Sequence, residues 1–337
     1  MNSTKTRLVF PLLIIGLLVI IGISLSIGRF TVPFDQTVRI LGSQMLPLET
    51  TWINGMENVI INVRLPRVIA GLIVGAALAA SGATYQGIFK NPLVSPDLLG
   101  VSAGACAGAS IAIVMHGGTL ATQLMALGFG LLAVFLTTRL PKIFRNESTL
   151  MLILAGVVVG GFMNAVFGLM KYVADPEEEL ASIVYWTMGS FANVRPSILI
   201  ALCPVMLLSL VALLLLRWRI NLLSLGDAEA SSLGVNVTAL RGTCIFFATL
   251  LTASAVCLSG TIGWVGLITP HFARLLVGED NRKVLPAAIL IGAAMMTLVD
   301  WLARNLTGSE IPLSILTGIV GAPLFIMLLI AQKKKIQ

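Results

Sequence analysis

The sequence predicts an all-α polytopic membrane protein, and three observations carry that prediction. Of 337 residues, 57% are hydrophobic and only 11% charged, where a soluble domain carries about 25% charged residues. Apolar runs of the length a helical span needs, about 20 residues, recur along the whole chain. The alternating strand pattern of an outer-membrane barrel is absent. Helices and closed barrels alone satisfy their backbone in lipid, so the chain reads as one helical transmembrane domain over 1–337. The same balance excludes a large soluble domain, and it excludes disorder, which needs low hydrophobicity.

Ten spans follow in order. The first apolar run, 8–27, is longer than the apolar core of a secretory signal and lacks a cleavage site, so it is kept as a span. The stretch 28–62 is polar, containing Pro33, Pro47, Asp35, Glu49 and Glu57, and reads as a periplasmic segment joining spans one and two. The second span runs over 64–86. The rest are placed at 98–115, 120–140, 149–170, 197–216, 242–259, 265–277, 285–304 and 311–331. The eighth is short for the full hydrocarbon layer.

Lys and Arg orient these spans. Net charge is +7, and the basic residues sit singly or in short groups between apolar runs, so they read as topology signals, not as a nucleic-acid surface. With the N-terminus cytoplasmic, 15 of the 22 fall in inner segments, among them Lys5, Arg7, Lys333, Lys334 and Lys335. Both termini are therefore expected inside.

A short echo relates two parts of the chain. AALAASGATYQG at 76–87 precedes KNPLVSPDLLG, and AVCLSGTIGWVG at 255–266 precedes LITPHFARLLVG. Five spans separate the copies, so their directions oppose, and an inverted repeat relating spans 2–5 to spans 7–10 is expected, a common architecture of transporters.

Small residues at spacing four, such as Gly71 and Gly75, Gly104 and Gly108, Gly156 and Gly160, suit close helix approach in lipid. No span carries a charge at its centre. Ion-coupled transporters bury ionisable groups there, so the driving energy is expected from a partner ATPase. This chain contains no GxxxxGK[ST] and is not that ATPase. Cys106, Cys203, Cys244 and Cys257 lie in apolar runs without metal or redox spacing, and His116 and His271 form no ligand cluster. No metal, cofactor or catalytic residue is expected.

Five strings then point one way: RLPR at 64–67, VGAALAASGATYQGIFKNPLVSPDLLGVSAGA at 74–105, LGDAEASSLGV at 225–235, SGTIGWVGLITPHFAR at 259–274 and EIPLSILTGIVGAPLF at 310–325. Together they resemble the FecCD-type permease family, the membrane subunits of ABC importers for iron-siderophores, haem and cobalamin. The resemblance implies the type II permease fold of ten helices per subunit and a second permease copy or homologous permease around a shared pathway. It also implies cytoplasmic ATPase subunits, a periplasmic substrate-binding protein and a location in the bacterial inner membrane. The cargo it implies first is a ferric siderophore, with haem or cobalamin as the alternative.

Site residues follow from the same match. Segment 217–241 is expected in the cytoplasm. Asp227 and Glu229 suit the positive end of a short helix there, and the resemblance makes that helix the ATPase-coupling element, with Gly226, Asp227, Ala230, Leu233 and Gly234 matching. Arg64 and Arg67 share a helix face. Taken as first-turn residues they oppose both the helix dipole and the charge bias, and snorkelling anchors are the plain alternative. The resemblance makes Arg64, Arg67 and Arg304 docking residues for the binding protein, although Asp300 four residues before Arg304 offers it an intrahelical partner. Asn91 and Pro92 read as a helix break near the exit, and Pro270 with His271 as the close of the eighth span. Gly156, Gly160 and Asn164 on the fifth span resemble pathway residues. The acidic run 175–179 reads as a solvated loop. A secondary transporter would need buried ionisable groups and a membrane enzyme convergent acids or histidines, and neither set is seen.

Overall fold

The computed structural model describes residues 3–47, 49–50, 52–146 and 148–336. The side chains of Lys5, Arg7, Lys333, Lys334 and Lys335, which entered the charge count, lie outside the described residues. The described residues form helices without strands. In order they are α1 (Ser3–Ser26), α2 (Phe34–Ser43), α3 (Asn54–Asn58), a π-helical turn (Val59–Arg64), α4 (Leu65–Phe89), a 3-10 turn (Pro96–Leu99), α5 (Val101–Val114) and α6 (Gly118–Ile143). There follow α7 (Thr149–Val173), α8 (Glu179–Met188), α9 (Pro196–Leu225), α10 (Asp227–Ser232), α11 (Val237–Ser259), α12 (Val265–Val277), α13 (Asn281–Asn305) and α14 (Leu313–Ile336). Seven helices are long and apolar enough to cross a membrane, and the shorter apolar helices at Val101–Val114, Val265–Val277 and Leu313–Leu328 bring the spans to the expected ten.

The core is built around α4, of which nearly every residue is buried. It lies against α13, α11, α12 and α9. Small residues make this possible, because lipid supplies little hydrophobic drive between helices and close backbone approach must provide the packing. A Cβ on Gly75 would overlap the Gly292 carbonyl of α13, and one on Gly82 the Gly266 carbonyl of α12. Polar side chains close the same interface: Ser81 Oγ donates to the Ala248 carbonyl at 2.9 Å and meets Thr252 Oγ1 at 2.7 Å, and Tyr85 Oη meets Thr249 Oγ1 at 2.8 Å.

The inverted repeat is visible in the helix order. Long α4, short α5, long α6 and α7 are matched by long α11, short α12, long α13 and α14. The pairings exchange as such a repeat requires: α4 packs on α13 and α11 on α6, α5 packs on α6 and α12 on α13. The local echo is out of register with this larger symmetry, since Ser81 and Gly82 lie inside α4 while Ser259 ends α11.

Three expectations need correction. The second span does not begin near Arg64: one continuous helix runs from Asn54 through the π turn into α4. Pro66, lacking an N–H, sits just past that turn, where Leu65 N–H reaches back to the Ile60 carbonyl; a π turn is one way a helix passes a residue that cannot complete its ladder. Arg64 and Arg67 therefore occupy no first turn and oppose no exposed dipole end. Pro270 and His271 lie within α12, not at its close, with His271 buried edge-on against Phe325. Of the run 175–179, residues 175–178 form the expected exposed turn, but Glu179 opens α8, accepts from Asp175 N–H at 2.9 Å and faces His116 at 3.2 Å.

Candidate functional site

Three places gather the expected residues. The first is the turn between α9 and α11. Gly226 (φ 145°) ends α9 in a backbone region that side-chain-bearing residues rarely enter. Six residues of α10 follow. Gly234 (φ 78°) closes them: its N–H reaches the Ser231 carbonyl at 2.9 Å and the Val235 N–H reaches the Ala230 carbonyl at 3.1 Å, the bond pair of a Schellman termination. Ala230 is fully buried beneath the turn while Leu233 is 61% exposed. Asp227 accepts from Arg241 Nη2 at 2.7 Å, which clips α10 to α11. The result is a compact, pinned surface presenting one apolar side chain.

The second is the opposite end of α4. Arg64, Arg67 and Arg304 converge there, and all three are buried. Arg67 forks onto Glu310 at 2.7 and 2.9 Å and onto Asp300 Oδ1 from Nη2 at 2.8 Å. Arg304 Nε lies 3.0 Å from Asp300 Oδ2, though its N–H is aimed at the Asp300 carbonyl, and its Nη2 donates to Ser24 Oγ at 2.7 Å. Arg64 donates to the carbonyls of Leu25, Ser26 and Phe30. Each guanidinium thus has partners inside the chain, and the cluster ties α1, α4, α13 and the approach to α14 together. The i,i+4 partner expected for Arg304 is present, and the Glu310 fork is an addition that sequence spacing could not show.

The third is a groove of about 630 Å³ between the 3-10 turn, α5 and α7. Gly156, Gly160 and Asn164 line it together with Asp97 and Ser102. Gly156 is where α7 meets the turn, since a Cβ there would overlap the Leu98 carbonyl. Asp97 is exposed to the groove and accepts from Ser102 Oγ. Beside the groove, Thr137 Oγ1 of α6 donates to the Leu99 carbonyl at 3.1 Å, about 9 Å from the end of α6 by helical rise. Asn91 and Pro92 do not join this groove. They line a separate pocket of about 270 Å³ with Gln86 and Arg274, where Asn91 Oδ1 accepts from Leu93 N–H at 2.9 Å and holds the turn after α4. Asp97 was missed by motif reading; its signal was available, as the one acid between the second and third spans.

The FecCD transport family profile matches residues 16–331. The molybdate import system permease protein of Haemophilus influenzae is 43% identical over 334 residues, covering 96% of this chain and 97% of that protein. The hemin transport system permease protein of Yersinia pestis is 33% identical, covering 96% and 97%. A solved ABC transporter described as of the metal-chelate type, in an inward-facing conformation, superposes with a TM-score of 0.85 at 41% identity, covering 96% of this chain and 99% of that one.

Proposed function

The chain belongs to the FecCD transport family of ABC importer permeases, and on that premise we propose that it carries a ferric siderophore across the bacterial inner membrane, with both termini cytoplasmic. ATPase subunits dock on α10 around Leu233. A periplasmic substrate-binding protein docks at the Arg64, Arg67 and Arg304 end, where its acidic side chains compete for Arg67 with Glu310, the more exposed of the two internal carboxylates. A second permease copy or a homologous permease covers the open face of α7 and completes the groove as a pathway. The chain itself breaks no bond.

The observation that carries the cargo reading is Asp97. Among the described residues it is the one carboxylate lining the groove, and no Lys or Arg lines it. A low-dielectric path with an uncompensated carboxylate disfavours an anion and accepts a neutral or cationic complex. Ferric hydroxamate chelates have that charge, so this chelate class is the cargo proposed. A second reading, molybdate, is favoured by the 43% identical relative named for it. The discriminating experiment reconstitutes the chain with its ATPase and binding protein in vesicles and measures ATP-driven uptake of a ferric hydroxamate and of molybdate, for wild type and Asp97→Asn. Chelate uptake in wild type supports the proposal. Molybdate uptake alone, unchanged by the substitution, overturns it.

A further inference from the structure

A groove of about 500 Å³ opens between α6 and α11, at the same end of the bundle as α10. Its lining is ordered along the membrane normal. Along α6 the groove-lining residues run from Leu131, Val134 and Phe135 through Thr138 to Arg139 and Lys142. α11 runs the opposite way, so from the same end it presents Thr238 and Arg241 first, then Ile245 and Phe246. Both walls therefore change from cationic to apolar in the same direction. The cations lie at the helix ends and the apolar stretch extends toward the bilayer centre.

The polar end is only partly neutralised, by the Asp227 partner of Arg241. Among the described residues no Asp or Glu lines the groove. Arg139 is exposed and held over the Phe135 ring, its guanidinium carbon 4.9 Å from the centroid. Arg241 spends Nη2 on Asp227, but its Nε is buried without a hydrogen-bond partner among the described residues. A buried donor left unsatisfied is costly, and basic pockets between membrane helices suit anionic lipid head groups.

We propose that this groove is a binding site for an anionic phospholipid, with the phosphodiester between Arg139, Lys142 and the free Nε of Arg241, and one acyl chain along Val134, Ile245 and Phe246. The shape of the groove selects the occupant. A free phosphate would use only the cationic end, and a neutral lipid only the apolar stretch. Because Arg241 also holds Asp227, the bound lipid touches the residue that pins α10, and it stiffens the coupling turn from the membrane side.

The test uses the full chain purified with its ATPase in mild detergent. Native mass spectrometry counts retained dioleoyl phosphatidylglycerol against dioleoyl phosphatidylcholine, with inorganic phosphate as the competitor. Wild type is expected to retain the glycerol lipid in clear preference. Arg139→Gln with Lys142→Gln is expected to lower that preference about tenfold, while Arg139→Lys with Lys142→Arg keeps it. A thermal-shift series gives a second readout, because the anionic lipid should raise the melting midpoint of wild type and of the charge-conserving pair only. Equal retention of the two lipids by wild type, or an undiminished preference in the glutamine pair, overturns the proposal. Full displacement of the lipid by millimolar phosphate would mark a free-anion site and overturn it equally.

Discussion

Replacing Asp300 by Asn isolates what the buried arginine cluster contributes. Asp300 is 1% exposed, and its carboxylate lies within 3.0 Å of two guanidiniums, those of Arg67 and Arg304. The cluster holds Arg64, Arg67 and Arg304 against Asp300 and Glu310, a formal excess of one positive charge. Asn conserves shape, so packing changes little, but the excess becomes two with no solvent to absorb it. Breaking a buried pair by removing one partner costs about 3–5 kcal/mol, because an uncompensated charge remains. Two features reduce that figure here: Arg67 keeps its fork on Glu310, and Arg304 keeps Ser24. We therefore expect about 2–3 kcal/mol. Glu310→Gln provides the contrast, since its side chain is 33% exposed and a partly solvated pair contributes about 1 kcal/mol or less. The assay is unfolding by dodecyl sulfate in mixed micelles, followed through tryptophan fluorescence; Trp301 reports locally because its Nε1 donates to the Ile27 carbonyl at 3.0 Å. A loss under about 1 kcal/mol for Asp300→Asn, or equal losses for both variants, would refute the view of this cluster as a structural bracket.

Gly82→Ala should reduce the yield of monodisperse protein, because the new methyl meets the Gly266 backbone and overpacking costs about 1–3 kcal/mol; Gly161→Ala, with open space at its Cβ, should be indistinguishable from wild type in size-exclusion chromatography. Leu233→Asp should leave the subunit in the membrane yet uncouple ATP hydrolysis from uptake, since burying one leucine in a partner groove contributes about 1.5–3 kcal/mol; unchanged uptake would defeat the coupling assignment. Asp280 caps α13, and although burial alone would raise its pKa, hydrogen bonds from Asn221 and Arg282 and the Arg282 charge bring it below the usual 3.8. A depressed carboxyl pKa gives stability that is present above 3.8 and lost as pH falls through the folded value, so the difference between wild type and Asp280→Asn should hold at neutral pH and vanish below that point in a melting series.

Seven spans were legible as long apolar runs, and the three shorter ones as apolar stretches between them. What the sequence hid lies outside lipid or across long separations. Residues 54–63 continue the second helix, yet Glu57, Asn58 and Asn62 make that stretch polar, and a helix in water needs no apolar face all round. The Arg67 partners are 233 and 243 residues away, so no local spacing rule could pair them, whereas Asp300 and Arg304, one helical turn apart, were readable. Glycine spacing foretold close approach but not the partner, since Gly75 meets Gly292 and Gly82 meets Gly266 only once the topology is known.

These contacts also decide where a push on α10 would travel. Among the described residues α10 packs chiefly on its neighbours α9 and α11. From α9, Asn221 Nδ2 donates to Asp280 at 2.7 Å while its Oδ1 accepts from Asn281 N–H at 2.9 Å, and Ser224 Oγ reaches the Gly87 carbonyl at 3.3 Å. From α11, Ser81 and Tyr85 are bonded directly. Displacement of α10 is thus delivered to α4 and α13, whose far ends are joined by Arg67 and Asp300. These helices form one stiff body, because a core with interlocked backbones does not deform continuously. α7 stands apart from that body, packing on α5, α6 and the 3-10 turn and leaving its other face open. α7 meets that body at the seam beside Gly156 and Gly160, which is where Asp97 faces the groove. Absence of side chains at those two positions is what brings α7 up to the 3-10 turn, since a Cβ on Gly156 would overlap the Leu98 carbonyl and one on Gly160 would already touch Gly100.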